Sequence, residues 1–271
     1  MSYACKSLTT TSNELASREK RLSICLGAGG FSFAEVTRAG QVLAIGEAEG
    51  HHALTMTGVM SDVKEFFAAA GIRPLGYAKM ELIVLSDVST WVPDELYSSL
   101  SNRHYLNLVG GSVENAMTCH SDQLASTAVF GADEQLVTAF KVAMPGVAVM
   151  HQHAKLAQLA PLSQERPLIV AHWRKGRVDV AAFRDGKYLF GNTLQFSYSN
   201  EAVYRLIEVM KSHDLERDDM ELALCGEVDR ERYAACRPYF PKVTLFNPID
   251  LTRQAPEFRS LQSYRHALIL F

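Results

Sequence analysis

Two short segments of the sequence combine residue types that can bind a phosphate group. Residues 27–30 read Gly-Ala-Gly-Gly at the end of an apolar segment, and Arg174 and Lys175 place two cations side by side. Glycine lets backbone N–H groups approach an anion closely, and cationic side chains add charge attraction. No Gly-Lys-Ser/Thr sequence follows the glycines, so we favour a hairpin turn in which glycine adopts a positive φ. For the two cations we favour a solvated hairpin tip.

Histidine and cysteine residues could bind zinc at several places in the chain. His151 and His153 would share one face of a strand, Cys119 precedes His120, and two further histidines stand at 51–52. A zinc site needs three or four ligands at a recognised spacing, and these pairs lack a third ligand. A serine nucleophile is not indicated either, because the sequence has no Gly-x-Ser-x-Gly motif. We therefore predict no metal, no cofactor and no catalytic residue.

The composition indicates an ordinary globular protein and argues against several classes of partner. The 271 residues are 48% hydrophobic and 21% charged, which permits a sizeable core, and the formal net charge is −3. That charge gives no reason to expect nucleic acid or an anionic membrane as a partner. The five cysteines form no CxxC pair, and neither a signal peptide nor a membrane-spanning run is evident. We expect a cytoplasmic protein with reduced thiols.

One arrangement of predicted elements occurs twice and must position the candidate residues. Residues 22–46 and 167–196 each read as three short antiparallel strands, followed by a helical segment and a buried strand. Trp173 lies beside the turn of the second meander, where half-buried packing is favoured over contact with a partner. Further predictions are a helix capped by Ser61, a helix with Pro93 in its first turn, and an edge strand at 243–246.

These elements predict an α/β protein with two similar lobes and a cleft between them. Each lobe would contain a mixed β-sheet with a leading antiparallel meander and flanking helices. The polar loop at 163–166 is the predicted boundary, which gives a flexible arm at 1–20, a first lobe at 21–162 and a second lobe with a tail at 163–271. The apolar tail at 267–271 is expected to dock on the body of the protein or on a partner.

The second meander resembles the second half of the actin-like ATPase superfamily, in which a strand, a tight turn and a return strand precede a helix and a strand ending in Gly-Gly. The whole chain resembles, more narrowly, a family of Bacteroidetes proteins of unknown function that is assigned this fold. Four short segments carry that narrower resemblance: GFSF at 30–33, VPDELY at 92–97 through Tyr105 and Leu106, NTLQF at 192–196, and LCGE at 224–227. The resemblance implies actin-like ATPase (ribonuclease H-like) lobes and brings no biochemical activity.

Within this resemblance, the chain departs from the working ATPases, which place a carboxylate at each meander apex to hold Mg²⁺ and orient the nucleophile. Residues 22–34 contain no Asp or Glu, and the second apex falls on Ala171 or His172. Bulky residues replace glycines at 173–175, and Glu227 replaces the second closing glycine. The positions that correspond to the phosphate loops and cleft are Gly27, Gly29, Gly30, Ser32, Trp173, Arg174, Lys175, Gly176, Gly226 and Glu227.

These departures favour a non-catalytic binding or scaffold module with a degenerate nucleotide site. Its partner would be an unknown protein or a second copy of the chain, with no nucleic acid and no membrane. The alternative is an ATP-dependent kinase or ATPase with an atypical active site, which would use relocated carboxylates such as Asp179, Asp185 or Glu227. Asp179 is predicted inside a strand and Asp185 in a distal turn, so neither is well placed. A third hypothesis is a homodimer whose apolar tail crosses to the partner.

Overall fold

Fourteen β-strands and seven α-helices lie in the part of the chain that the computed structural model describes, which is residues 4–9, 19–27, 30–49, 56–110, 113–216, 218 and 220–271. The strands are β1 (Ala4–Thr9), β2 (Lys20–Gly27), β3 (Gly30–Thr37), β4 (Val42–Glu49), β5 (Lys79–Val84), β6 (Ser89–Pro93), β7 (Ala116–Ser121), β8 (Ser126–Gly131), β9 (Ala148–His151), β10 (Leu168–Arg174), β11 (Arg177–Arg184), β12 (Lys187–Gln195), β13 (Glu221–Gly226) and β14 (Lys242–Leu245). The helices are α1 (Met56–Ala70), α2 (Asn102–Leu108), α3 (Glu134–Ala143), α4 (Gln152–Ala157), α5 (Ser199–Ser212), α6 (Arg230–Cys236) and α7 (Ala267–Leu270).

Contacts within the chain divide it into two compact units. Unit 1 contains Met1–His151, Ile249–Leu261 and Leu268–Leu270, and unit 2 contains Gln152–Pro248, Gln262–Ala267 and Phe271. The predicted fold class, α/β with mixed sheets and flanking helices in two lobes, is confirmed. The predicted domain bounds at 21–162 and 163–271 stay a prediction.

A six-stranded mixed sheet forms the centre of unit 1. Its strand order is β1-β4-β3-β2-β5-β9. The first four strands in this order pair antiparallel with their neighbours, and β5 and β9 then pair in parallel with β2 and β5, respectively. The first predicted meander is therefore confirmed as β2, β3 and β4. Helices α1 and α3 cover an apolar face, where the ring of Phe31 lies 5.0 Å from Phe66 and 5.1 Å from Phe140 between centroids. This aromatic contact fixes the helices on the meander.

A second, three-stranded sheet in unit 1 has the order β6-β8-β7, with all pairs antiparallel. Helix α2 packs on it through the buried Leu106, which clusters with Val92 and Val129. The segment with Pro93 differs from the prediction, because Pro93 ends β6 in pairing with Ser126 and two 3₁₀ turns, Asp94–Leu96 and Ser99–Ser101, follow before α2. The strand pairing keeps this part of the chain extended, so the α-helix begins later.

Unit 2 is built on a five-stranded sheet with the order β12-β11-β10-β13-β14. The second meander is confirmed as β10, β11 and β12, and β13 and β14 join it in parallel. Strand β10 is buried along almost its whole length, as expected for a central strand, and β14 is the predicted edge strand. Helix α5 packs on this sheet through Val203, Leu206 and Met210, whose spacing places them on one helical face.

Two further local predictions differ from the structure. Helix α1 begins at Met56 rather than at Ser61, because the apolar period of Val59, Val63 and Phe66 extends further back. Residues 4–9 of the predicted arm form strand β1, paired with β4, and residues 10–18 lie outside the described residues. The tail forms the short buried helix α7. Arg21, in β2, donates from Nη2 to the carbonyl oxygen of Leu270 at 2.9 Å. Docking of the tail on the body is confirmed.

None of the helices in the described residues is long and apolar enough to cross a lipid bilayer.

Candidate functional site

The turn between β10 and β11 contains Lys175 and Gly176, and the side chains around it differ in exposure. Gly176 has a φ of 67°, the left-handed conformation that a two-residue hairpin favours. Trp173 is 1% exposed and packs edge-on against Phe196, with 5.2 Å between ring centroids, whereas Lys175 is exposed. Packing is therefore the confirmed interpretation of Trp173, and its burial is complete rather than half.

Arg174 folds back onto the sheet instead of projecting from the hairpin tip. Its Nε and Nη2 atoms donate to the two carboxylate oxygens of Asp179 at 2.8 and 3.0 Å. Only 16% of the Arg174 side chain is exposed, and the Asp179 side chain is not exposed at all. The expectation of two solvated cations is therefore wrong for Arg174, because a buried carboxylate on the neighbouring strand binds its guanidinium group in a bidentate pair.

Asp179 is the centre of a buried polar cluster. Besides Arg174, it accepts hydrogen bonds from His172 Nδ1 at 3.1 Å, Thr193 Oγ1 at 2.8 Å and Gln152 Nε2 at 3.2 Å. His172 and Thr193 are the cross-strand partners of Asp179 on β10 and β12, and Gln152 begins α4. A carboxylate offers about four lone-pair sites, so these five donor contacts use its full capacity. We call these five residues the Asp179 cluster.

The cluster holds a charge that could not remain buried alone. Burial by itself would raise the pKa of the Asp179 carboxyl, but the hydrogen bond from His172 and the charge and hydrogen bonds of Arg174 outweigh burial and hold that pKa well below its usual range. Because an ionised carboxylate only accepts hydrogen bonds, His172 must carry its proton on Nδ1. The other ring nitrogen, Nε2, then faces Gly226, where a built Cβ atom would lie 3.1 Å away.

A second histidine adjoins the cluster and is neutral. His153 Nε2 lies 3.1 Å from Thr193 Oγ1. Burial lowers the pKa of His153 to about 4, because the charge of Asp179, which favours the protonated ring, does not offset the loss of solvent. Gly191 leaves the room for this ring, since a Cβ atom there would lie 2.8 Å from His153 Nδ1 and 2.1 Å from Tyr188 Oη.

The loop after β13 is closed onto the hairpin. Gly226 has a φ of 79°, and a Cβ atom at this position would lie 2.3 Å from the carbonyl oxygen of Trp173. That oxygen accepts the backbone N–H of Glu227 at 2.8 Å. The guanidinium group of Arg232 lies 5.7 Å from the centroid of the Trp173 ring and donates to the carbonyl oxygen of Glu227. The chain's own groups therefore occupy the polar backbone atoms at this loop.

The candidate residues of the first meander form an ordinary strand pair. Gly27 and Gly30 are cross-strand partners at the end of β2 and the start of β3, and Gly30 has a φ of 141°. Ser32 is partly buried within β3, and Gly29 lies outside the described residues. The hairpin interpretation of the loop is supported by the positive φ of Gly30.

The zinc-ligand candidates among the described residues lie in different elements, with Cys119 and His120 in β7, His151 in β9 and His153 in α4. Strand β9 ends at His151 and helix α4 begins at Gln152, so His151 and His153 do not share a strand face as expected. The backbone N–H of His151 donates to Cys119 Sγ at 3.4 Å. In the described ranges, which omit 51–52, no three His, Cys, Asp or Glu side chains are grouped as a metal site would require.

Two members of the Asp179 cluster, Gln152 and Thr193, were not identified as site residues from the sequence, and His172 was named only as a possible apex of the second meander. One local signal pointed to the cluster: an acidic residue stands between Val178 and Val180 in the middle of an apolar strand. A carboxylate at such a position must find buried donors, and the nearest donors lie on the paired strands.

Comparisons with known proteins place this geometry in a known fold. A protein from Bacteroides thetaiotaomicron, solved as a protein with actin-like ATPase fold and unknown function, matches 90% of this chain and 96% of its own, with a TM-score of 0.72 and 20% identity. The PilM-PilN type IV pilus biogenesis complex matches 93% of this chain and 97% of its own, with a TM-score of 0.54 and 14% identity. Ethanolamine utilization protein EutJ from Carboxydothermus hydrogenoformans matches 96% of this chain and 94% of its own, with a TM-score of 0.50 and 10% identity.

At these identities the solved structures establish the fold alone. A search of curated proteins found no match. The family described as "Protein of unknown function (DUF3822)" matches residues 9–243. The chain therefore belongs to this family, and its fold is that of the actin-like ATPases.

Proposed function

We propose that this chain is a non-catalytic member of the actin-like ATPase fold and acts as a binding or scaffold module. Its partner would be another protein or a second copy of the chain. The observation that carries the proposal is the Asp179 cluster. Asp179 is the one carboxylate in strands β10, β11 and β12, and its oxygens accept hydrogen bonds from four side chains of the protein itself.

Phosphoryl transfer in this fold depends on a carboxylate that can hold Mg²⁺, directly or through water. Asp179 is 0% exposed, and both of its oxygens already accept hydrogen bonds. A metal ion at Asp179 would have to displace the guanidinium group of Arg174, which would break a largely buried ion pair. Breaking a buried ion pair in this way costs about 3–5 kcal/mol. This cost argues against a Mg²⁺ role for Asp179.

Two of the groups in unit 2 that could bind phosphate are also engaged. Arg174 is paired with Asp179, and the N–H of Glu227 donates to the hairpin carbonyl at 2.8 Å. Of the other carboxylates considered, Asp185 lies at the opposite end of β11 from Asp179, about 20 Å away for six residues of extended strand. It cannot act together with Asp179. Asp185 therefore does not provide a second carboxylate at an active site centred on Asp179, and Glu227 Oε2 lies 3.8 Å from Arg232 Nη1.

A binding role is compatible with the fold. One solved structure with this fold is the PilM-PilN type IV pilus biogenesis complex, although at 14% identity its likeness concerns the fold alone. Size-exclusion chromatography with light scattering would measure the mass of the protein alone and of the complex captured from its native cells. We expect a homo-oligomer or one stoichiometric protein partner, and a monomer without a partner would refute the scaffold role.

The catalytic half of the proposal is tested by thermal unfolding with Mg²⁺ and ATP at millimolar concentration, together with an assay of phosphate release. A ligand at one hundred times its Kd stabilises a protein by about 2.7 kcal/mol, which raises Tm by several degrees. We expect no Mg²⁺-dependent rise in Tm and no hydrolysis above the buffer rate. A rise that needs both Mg²⁺ and ATP, accompanied by hydrolysis, would show that the alternative of a working kinase or ATPase is correct.

A further inference from the structure

Unit 2 contains a cavity that the Asp179 cluster does not use. Its volume is about 490 Å³, within the usual range for small-molecule sites. The loop after β13, the first turn of α6, the end of β14 and the 3₁₀ turn at Ser263–His266 form its wall. Segments distant in sequence therefore converge on one concave surface.

Two unpaired arginines dominate the charge of this cavity. Arg230 and Arg265 both line it, and within the described residues neither guanidinium group forms a hydrogen bond or an ion pair. The wall contains one carboxylate, that of Asp229, whose Oδ1 accepts the backbone N–H of Arg232 at 2.8 Å and whose Oδ2 lies 3.9 Å from Arg232 Nε. Arg232 thus compensates Asp229, and the two lining guanidinium groups keep their charge and all their donors.

The remaining polar atoms of the wall favour a ligand that accepts hydrogen bonds. Tyr233 Oη donates to the carbonyl oxygen of Val243 at 3.1 Å, and Tyr264 Oη donates to Gln262 Oε1 at 2.9 Å. Both phenol protons are therefore used, and so is the amide oxygen of Gln262, whose NH₂ group remains as a donor. Both tyrosines line the cavity beside Leu245, so aromatic and aliphatic side chains are available there to an apolar part of a ligand.

We propose that this cavity binds an organic anion, which is a carboxylate or phosphate group carried on a flat apolar body. The anionic group would lie between Arg230 and Arg265, where guanidinium groups can form bidentate hydrogen bonds. The apolar body would lie against Tyr233, Tyr264 and Leu245, since aromatic faces favour flat apolar partners. This site does not depend on the proposed scaffold function.

The test is isothermal titration of the full chain with three probes: phenyl phosphate, benzoate and inorganic phosphate. We expect saturable 1:1 binding of phenyl phosphate or benzoate, at least about tenfold tighter than inorganic phosphate because the ring adds apolar contact. Binding of one aromatic probe alone would tell whether the anion is a phosphate or a carboxylate. Absence of saturable binding of both aromatic probes up to about 10 mM, or equal binding of inorganic phosphate, would overturn the proposal.

Variants locate the binding. Arg230→Ala and Arg265→Ala should each weaken binding about tenfold or more, because each removes a charge-assisted contact. Arg237→Ala is the matched control, an exposed arginine that follows α6 and does not line the cavity, and it should bind within about twofold of the wild type. Unchanged affinity in the double variant Arg230→Ala/Arg265→Ala, with wild-type Tm, would exclude this cavity. In the thermal unfolding experiment, a rise in Tm that ATP causes without Mg²⁺ and that is absent in the double variant would reflect binding in this cavity. That result would leave the non-catalytic proposal intact.

Discussion

Substitution of Asp179 by asparagine should cause a large loss of stability in unit 2. The change keeps the size of the side chain but removes the charge that accepts five donor contacts, and it replaces one acceptor oxygen with an NH₂ group that faces donors. Arg174, only 16% exposed, would lose its counter-ion. Removing one partner of a buried ion pair costs about 3–5 kcal/mol, a substantial share of the total stability of a typical domain.

The assay is equilibrium unfolding in urea, followed by tryptophan fluorescence. The chain has two tryptophans, so a Trp91→Phe background leaves Trp173, which is buried beside the Asp179 cluster, as the reporter of unit 2. The matched control is Asp185→Asn, an exposed turn residue with a φ of 53° that asparagine adopts readily. It should change the free energy of unfolding by less than about 0.5 kcal/mol.

The acid dependence adds a second signature. Because the folded state holds the pKa of Asp179 well below its unfolded value, this group contributes stability that is fully present above pH 4 and is lost as the pH falls further. Asp179→Asn should lack that component. A loss below about 1 kcal/mol at pH 7 would refute our account of the cluster. A double-mutant cycle with Arg174→Met isolates the pair, and we expect a coupling of about 1–3 kcal/mol.

Three further predictions concern other buried groups. Burial lowers the pKa of His153 to about 4, so between pH 7 and pH 4 the unfolded state binds a proton that the folded state does not. The free energy of unfolding should therefore fall by about 3 kcal/mol over this range. His153→Gln should flatten this pH dependence, as measured by urea titrations at a series of pH values. Gly226→Ala should lower the free energy of unfolding by about 3 kcal/mol or more, because its Cβ atom would lie 2.3 Å from a carbonyl oxygen. The control Gly146→Ala, at a φ of 84° with no atom within 4 Å of the added Cβ, should lower it by only about 1–2 kcal/mol. Equal losses would contradict the steric argument. Burial raises the pKa of the Cys225 and Cys236 thiols, that of Cys236 to about 12, so neither should be alkylated in the native protein at pH 8, as mass spectrometry of labelled peptides would reveal.

The sequence was sufficient to predict the two meanders because their signals are local. Asp185-Gly186 marks a tight turn, and the apolar runs on either side have the length of strands. Helix boundaries were less predictable. Ser61 looks like an N-cap, yet the apolar period that packs against the sheet continues back to Val59, and burial of that face decides where the helix begins.

The candidate site was harder to predict because it depends on long-range register. Arg174 and Lys175 are adjacent in sequence, but only the pairing of β10 with β11 reveals that Asp179 lies within reach of Arg174. Gln152 reaches the same carboxylate from 27 residues away in sequence. The cavity with Arg230 and Arg265 likewise joins two segments that are separate in sequence, and no local spacing indicates that they meet.

The Asp179 cluster also has a kinetic consequence. Its donors come from α4, β10 and β12, so the carboxylate cannot be fully satisfied until the helix and all three meander strands are in place. Before that moment, both Asp179 and Arg174 are better solvated by water than by a partly formed sheet. We therefore expect the cluster to form after the main barrier to folding. Its free energy should then mainly lower the rate of unfolding, so that it determines the lifetime of folded unit 2 rather than the rate of folding.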